Sequence, residues 1–237
     1  MTEDNTRAAA KLRIWQQNIN KSLLAQQDLI NNIRPDDYEL ILIQEPYMDH
    51  NQKTRASSHW RVVYPSTYYT DLSAKLNTNS WRQMDVPCGD VTAIQISGDF
   101  GLISIFNIYN DCTHSRNLCA LEQYMYLNAQ QIRPNPEAHM VWAGDFNRHH
   151  PSWDEPRNHH LFTRRALRES QILIDILSNH ELGMALPKGL ATLCAHRTKN
   201  WTRVDNGGHD TKPQILLASM WSPHGGYMET RWRLEGV

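Results

Sequence analysis

Short apolar runs that each stop on a polar cluster constrain this chain more than any other feature. Leu12-Arg13-Ile14-Trp15 leads into Gln17-Asn18-Ile19-Asn20, and Tyr38 to Gln44 leads into Glu45-Pro46. Leu102 to Tyr109 is followed by Asn110, and Met140 to Ala143 by Gly144-Asp145-Phe146-Asn147. Dense runs such as Leu40-Ile41-Leu42-Ile43 read as strands buried within a sheet. Helix-period segments separate them. Ser22 caps a predicted helix through Ile33, ended by Pro35, and Ser115 caps another to Ile132, stopped by Pro134. A third runs from about Leu161 to Asn179, with Leu167, Ile174 and Leu177 apolar. Trp60–Tyr64, Val91–Ile96, Leu182–Leu186 and Ala191–Ala195 complete the predicted strands, and Gly98-Asp99-Phe100-Gly101 reads as a hairpin turn. Local strand pairs followed by strand–helix alternation predict an α/β fold with mixed sheets.

In a layered sheet the strand ends of one rim converge, and ligands bind there. Two carboxylates, Glu45 and Asp145, with amides beside them suit a hard divalent ion such as Mg²⁺, which takes one or two carboxylates and keeps waters. Polar residues after strands are also ordinary caps and turns, and spacing alone leaves both readings open.

Composition narrows the function classes. A chain of 237 residues and 27.5 kDa is the size of one large domain. Its formal net charge of −1 gives no global footprint for a polyanion, so any such site is a local patch. Eight Trp and nine Tyr argue against disorder. No apolar run approaches the roughly 20 residues of a membrane span. The first ten residues are polar and carry acids, unlike a secretory leader. Cys88, Cys112, Cys119 and Cys194 have scattered spacings with no CxxC, as expected of reduced thiols in an intracellular protein, nuclear or cytoplasmic and not secreted.

Four motifs occur in order: Trp15-Gln16-Gln17-Asn18-Ile19-Asn20, Ile43-Gln44-Glu45-Pro46, Asn107-Ile108-Tyr109-Asn110 and Gly144-Asp145-Phe146-Asn147. Thr192 and Arg203-Val204-Asp205 follow. Together they resemble the endonuclease/exonuclease/phosphatase superfamily. Gly144 to Pro151 followed by Trp153 resembles more specifically the apurinic-endonuclease-like domain of fungal non-LTR retrotransposons. The resemblance covers Leu12 to Asn206. It implies a four-layer α/β sandwich, two mixed β-sheets face to face with helices outside. It also implies Mg²⁺-dependent hydrolysis of DNA phosphodiesters, with Mn²⁺ as the substitute metal and a reverse transcriptase as a former fusion partner.

The resemblance assigns roles position by position. Glu45 is the expected metal ligand, and Asn18 supports metal and phosphate. Tyr109 contacts the scissile phosphate. Asp145 orients or deprotonates the attacking water, Asn147 steadies the phosphate, and Asp205 matches the carboxylate that orients a C-terminal histidine. Where the family has an asparagine three residues after the tyrosine this chain has Cys112, with Asn110 as a substitute. Thr192 matches a structural threonine.

The Ser-Asp-His that delivers the family's histidine is not found after Asp205. His209 lies only four residues on, and His224 sits in Ser222-Pro223-His224-Gly225. Parts of such a unit act together, so the expectation is a very weak nuclease or an inactive one. The alternatives are a remnant that keeps the fold and nucleic-acid affinity, and, less favoured, a phosphatase of the same superfamily.

The remaining candidates are contacts to nucleic acid. His149-His150 adjoins the proposed site; adjacent side chains diverge, so the pair is not a chelate. Arg148, Arg157, Arg164, Arg165 and Arg168 follow the Asp145 motif, and Lys188, Arg197, Lys199 and Arg203 span a stretch without acids. These read equally as a solvated basic face and as a DNA-backbone track. Trp153 and Trp201 are stacking candidates, although burial is the commoner fate of an indole. Domain expectations are a disordered extension over residues 1–11, the catalytic domain over 12–205, and an atypical tail over 206–237. Asn206-Gly207-Gly208-His209-Asp210 reads as turn material, and the tail shows no clear periodicity, so closing strands are expected to be missing or altered.

Overall fold

The structure, a computed structural model, describes residues 11–68, 80–98, 101–194, 201–202, 205–210 and 230–235. In chain order the elements are β1 (Lys11–Asn18), α1 (Leu23–Asn32), β2 (Leu40–Gln44), β3 (Trp81–Met84), β4 (Val91–Gly98), β5 (Gly101–Tyr109), α2 (Arg116–Leu127), α3 (Ala129–Ile132), β6 (His139–Asp145), α4 (Arg164–Asn179), β7 (Leu182–Met184), β8 (Leu193–Cys194), β9 (Trp201–Thr202), β10 (Asp205–Asp210) and β11 (Thr230–Glu235).

The strands form a three-stranded sheet ordered β11-β1-β2, a six-stranded sheet ordered β3-β4-β5-β6-β10-β7, and the pair β8-β9. Both larger sheets are mixed: β1 is parallel to β2 and antiparallel to β11, and β6 is parallel to β5 and antiparallel to β10. Strand side chains alternate between faces, and the core divides accordingly. Ile14 and Leu42 of the small sheet pack against Ile103, Ile105, Val141 and Ala143 of the large one. The opposite face of the large sheet, with Phe106, Met140 and Trp142, is covered by Leu118, Leu121 and Met125 of α2 and Leu173, Ile176 and Leu177 of α4. The opposite face of the small sheet meets Leu29 of α1 beside Trp15. The order is helix, sheet, sheet, helices: the expected four-layer sandwich.

Several boundaries differ from the sequence reading. Ser22 caps α1 through its side chain, which accepts from the Ala25 N–H at 3.2 Å. The helix expected from Ser115 to Ile132 breaks at Asn128 into α2 and α3. Trp60–Tyr64 is not a strand. The Tyr64 carbonyl instead accepts from the Gln83 side chain at 2.6 Å, and its hydroxyl from the Thr54 N–H at 3.0 Å. Trp81–Met84, unmarked by any apolar run, is one edge strand of the six-stranded sheet. Arg82 lies opposite Gln95 and donates to its Oε1 at 2.8 Å, a cross-strand polar pair of the kind that stabilises sheets.

The expectation of missing closing strands needs the largest correction. Asp205–Asp210 is a strand enclosed by β6 and β7, and Thr230–Glu235 pairs with β1 along six residues. The expected boundary between Asp205 and Asn206 therefore falls inside β10. Residues 1–10, 69–79, 99–100, 195–200, 203–204, 211–229 and 236–237 lie outside the described residues. With them go Lys199, Arg203 and His224.

Candidate functional site

Alternation that builds the inter-sheet core also aims the site. Asn18 continues the row of Ile14 on β1, Tyr109 the row of Ile103 and Ile105 on β5, and Asp145 the row of Val141 and Ala143 on β6. All three end their strands, so their side chains meet at the rim between the two sheets. The sheets are tied just beneath by Gln44, whose Nε2 donates to Asn107 Oδ1, and by Asn107 Nδ2, which donates to the Ile43 carbonyl at 3.0 Å.

Glu45 follows β2 with φ of 47°, a left-handed conformation uncommon for a residue with a Cβ. Backbone bonding holds it there: the Lys21 N–H donates to the Glu45 carbonyl at 2.7 Å. The Lys21 ammonium stands 3.6 Å from Glu45 Oε2. Asn147 is also left-handed, with φ of 48°. Its N–H donates to Asp145 Oδ1 at 3.0 Å and its Nδ2 to the Asn110 carbonyl at 2.9 Å. Strained backbone of this kind clusters at functional sites.

Asn18 joins the carboxylates. Its Nδ2 donates to Glu45 Oε1 at 3.1 Å and to Asp145 Oδ2 at 2.8 Å, while its Oδ1 accepts from the Asn20 N–H at 2.8 Å. Asp145 is buried. Burial pushes its carboxyl above the usual range and the charge of Glu45 adds to that, opposed by hydrogen bonds from Asn18 and the Asn147 N–H and by nearby His149. Burial also raises Tyr109, helped by the charges of Glu45 and Asp145 and by its hydrogen bond to Glu45. Tyr109 therefore stays a phenol and a proton donor.

Asp205 lies directly opposite Asp145 in the β10–β6 register. His209, on the same strand, pairs with Val141, four residues away from that rim. At roughly 3.3 Å per residue the distance along the strand is about 13 Å, so His209 does not serve the site, as its spacing predicted.

Other candidates fall differently. Arg148 is buried; its guanidinium donates to the carbonyls of Asp111, Asn147 and His114 and to Ser115 Oγ at 3.2, 2.9, 2.8 and 2.8 Å. Trp153 is buried too, donating to the Arg148 carbonyl at 3.1 Å. Neither offers a surface to nucleic acid; this corrects the reading of Arg148 as a contact and, for Trp153, gives burial over stacking. Asn110 is buried and donates to the Phe146 carbonyl at 2.8 Å; it supports the loop rather than substituting for an amide in the site. Arg157 and Arg165 pair with Glu155 and Glu169, which reduces the basic character of that stretch.

Sequence reasoning missed Asp154. Its carboxylate, fully buried, lies 3.2 Å from His149 Nδ1 and accepts from the His150 N–H at 3.3 Å. The His150 ring tilts against Trp153, with centroids 5.1 Å apart. Among the described residues no group of three or more His, Cys, Asp or Glu could hold a metal, so a metal at this rim would rest on two carboxylates and waters.

Comparison with known proteins bears on what this rim belongs to. Residues 103–205 match the family described as Endonuclease-reverse transcriptase. The endonuclease domain of TRAS1, a telomere-specific non-LTR retrotransposon, superposes with a TM-score of 0.61 at 13% identity, covering 95% of this chain and 99% of that one. The chain is an endonuclease/exonuclease/phosphatase-fold domain resembling retrotransposon endonucleases. An AP endonuclease from Leishmania major has the same fold, with a TM-score of 0.65 at 11% identity over 96% of this chain and 88% of that one. An endonuclease/exonuclease/phosphatase from Bacteroides vulgatus gives 0.50 at 15% identity, over 96% and 100%. No curated protein matches the chain in sequence. The family match and these neighbours support a nuclease-type hydrolase. No helix among the described residues is long and apolar enough to cross a membrane.

Proposed function

We propose that this domain hydrolyses phosphodiester bonds in DNA with Mg²⁺, Mn²⁺ substituting, as the endonuclease of a retroelement that once also carried a reverse transcriptase. The observation that carries the reading is the Asn18 amide bonded to both Glu45 and Asp145. Two carboxylates held by one amide, the deeper of them already disfavouring its charge, form a site that a divalent cation would relieve. Glu45 would hold the ion. When bound, Mg²⁺ supplies positive charge against the non-bridging phosphate oxygens.

The chain's own residues supply the rest. Asp145 orients the attacking water and accepts a proton from it. Tyr109 keeps its proton and donates it as a hydrogen bond to the phosphate. Asn18 holds the two carboxylates at their separation, and Asn147 fixes Asp145 through its N–H and steadies the phosphate. Lys199 and Arg203 are proposed contacts to the DNA backbone, and His150 to the substrate beside the rim. Asp205, opposite Asp145 in the strand register, is proposed as a further carboxylate of the catalytic set.

A second reading, a catalytically inactive domain that still binds nucleic acid, is favoured by the position of His209, far down β10 from the rim. Plasmid nicking in Mg²⁺ separates the two. The proposal expects nicking by the wild-type chain, abolished in Asp145→Ala and competed by DNA but not by soluble phosphomonoesters. Equal background nicking by both proteins leaves the inactive reading, and competition by phosphomonoesters points to a phosphatase.

A further inference from the structure

The loop after the rim motif folds back on itself. The Trp153 and Asp154 N–H groups both donate to the His150 carbonyl, at 3.1 and 3.0 Å. This turn brings the Asp154 carboxylate under His149, 3.2 Å from Nδ1. The loop is anchored on both sides: Ser170 Oγ of α4 donates to the His149 carbonyl at 2.9 Å, and Trp153 is buried in the core.

The two members of the pair are unequal. Asp154 is fully buried, whereas the His149 ring is 24% exposed. A buried carboxylate needs a partner, but the pairing uses only Nδ1; Nε2 has no partner among the described residues. His149 follows the rim residue Asn147 by two positions along the chain. A carboxylate that accepts from Nδ1–H orients the ring and stabilises the imidazolium form, in which Nε2–H also donates to a ligand. Beside the two carboxylates the rim offers the neutral donors Tyr109 and Asn147, and a cationic donor would add to them against an anionic phosphate.

We propose that His149, oriented by Asp154, is the histidine that donates through Nε2–H to the scissile phosphate in this chain; this rests on the phosphodiesterase reading. His149 is the catalytic residue and Asp154 its positioning residue. In the step itself the oxygen of water bonds to phosphorus and the bond from phosphorus to the leaving oxygen breaks. One proton of that water ends on the leaving alcohol and the other passes through Asp145 to solvent. His149 stabilises charge on a non-bridging oxygen and neither gains nor loses a proton.

Plasmid nicking in Mg²⁺ by wild type, His149→Ala, Asp154→Asn and Asp145→Ala tests this, with melting curves for each protein and added imidazole as a probe. The expected result is a loss of about 100-fold or more in His149→Ala, in the range of a positioned hydrogen-bond donor to developing negative charge. KM for DNA is expected to change little, and added imidazole to restore part of the rate. Asp154→Asn is expected to lose rate at unchanged KM and to gain nothing from imidazole. Wild-type-like nicking by His149→Ala, with Asp145→Ala inactive, overturns the proposal and leaves the phosphodiesterase reading standing. A loss in His149→Ala that tracks its melting temperature and resists imidazole also overturns it. Equal nicking by wild type and Asp145→Ala overturns both readings together.

Discussion

The Asp145 carboxyl is buried, faces Glu45, and is held above the usual carboxylate range. A group whose folded-state value is raised favours folding in its protonated form. Its contribution is therefore complete below the ordinary Asp value of about 4 and is lost as pH rises through the raised value. At neutral pH and without metal, ionised Asp145 opposes folding. Asp145→Asn is accordingly predicted to melt about 2–4 °C higher than wild type in metal-free buffer at pH 7, the shift expected for about 1 kcal/mol in a chain of this size. Mg²⁺ is predicted to raise the wild-type melting temperature and leave that of Asp145→Asn nearly unchanged. A melt series over pH and Mg²⁺ checks both. Gly144 has a stricter requirement. Its φ is +152°, and a Cβ there would sit 1.8 Å from the Ile108 carbonyl oxygen. Both β5 and β6 would have to separate, so Gly144→Ala is predicted to cost about 3 kcal/mol or more, measurable by denaturant unfolding. The Gly-Asp-Phe-Asn signature thus combines a packing residue with chemical ones.

At the scale of elements, the loop from Asn147 to Asp154 depends on Arg148. Removing its guanidinium leaves the carbonyls of Asp111, Asn147 and His114 without that donor, and each buried unsatisfied group costs about 1–3 kcal/mol. Arg148→Ala is predicted to destabilise the domain by about 3 kcal/mol and to speed hydrogen exchange across residues 147–154. Arg148 was legible in the sequence only as a positive charge near the motif. Its burial follows from the turn that brings Asp111, His114 and Ser115, just before α2, against the loop, which no local pattern encodes. Asp154 was missed for a similar reason: a five-residue separation across a turn has no periodic signature. The site strands were readable because each combines an apolar run with a polar stop. β10 was not. Asn206-Gly207-Gly208 has turn chemistry, yet all three residues pair with β6 and Gly208 pairs with β7 as well, so tertiary context overrides local preference. β3 went unread because Arg82 and Gln83 break any alternation, and a cross-strand side-chain bond holds it instead.

For the whole molecule, the four layers leave the small sheet dependent on a late strand. β1 would be an edge without β11, exposing unpaired N–H and C=O groups. Truncation after Glu229 is predicted to lower the melting temperature and promote aggregation, readable by light scattering during a thermal ramp. The late segment therefore completes the architecture even though His209 stands away from the chemistry. The sequence resemblance placed Asn18, Glu45, Tyr109 and Asp145 as separate motifs; the sandwich brings them onto one rim, with Asn18 bridging the two carboxylates. If that rim is the reacting centre, its members act as a unit, and their losses do not add. The most direct test is single-turnover cleavage of supercoiled DNA in Mg²⁺ by wild type, Asn18→Ala, Asp145→Ala and the double variant. The account predicts measurable cleavage by wild type, and a double variant no slower than Asp145→Ala alone. Wild-type cleavage no faster than that of Asp145→Ala would contradict it.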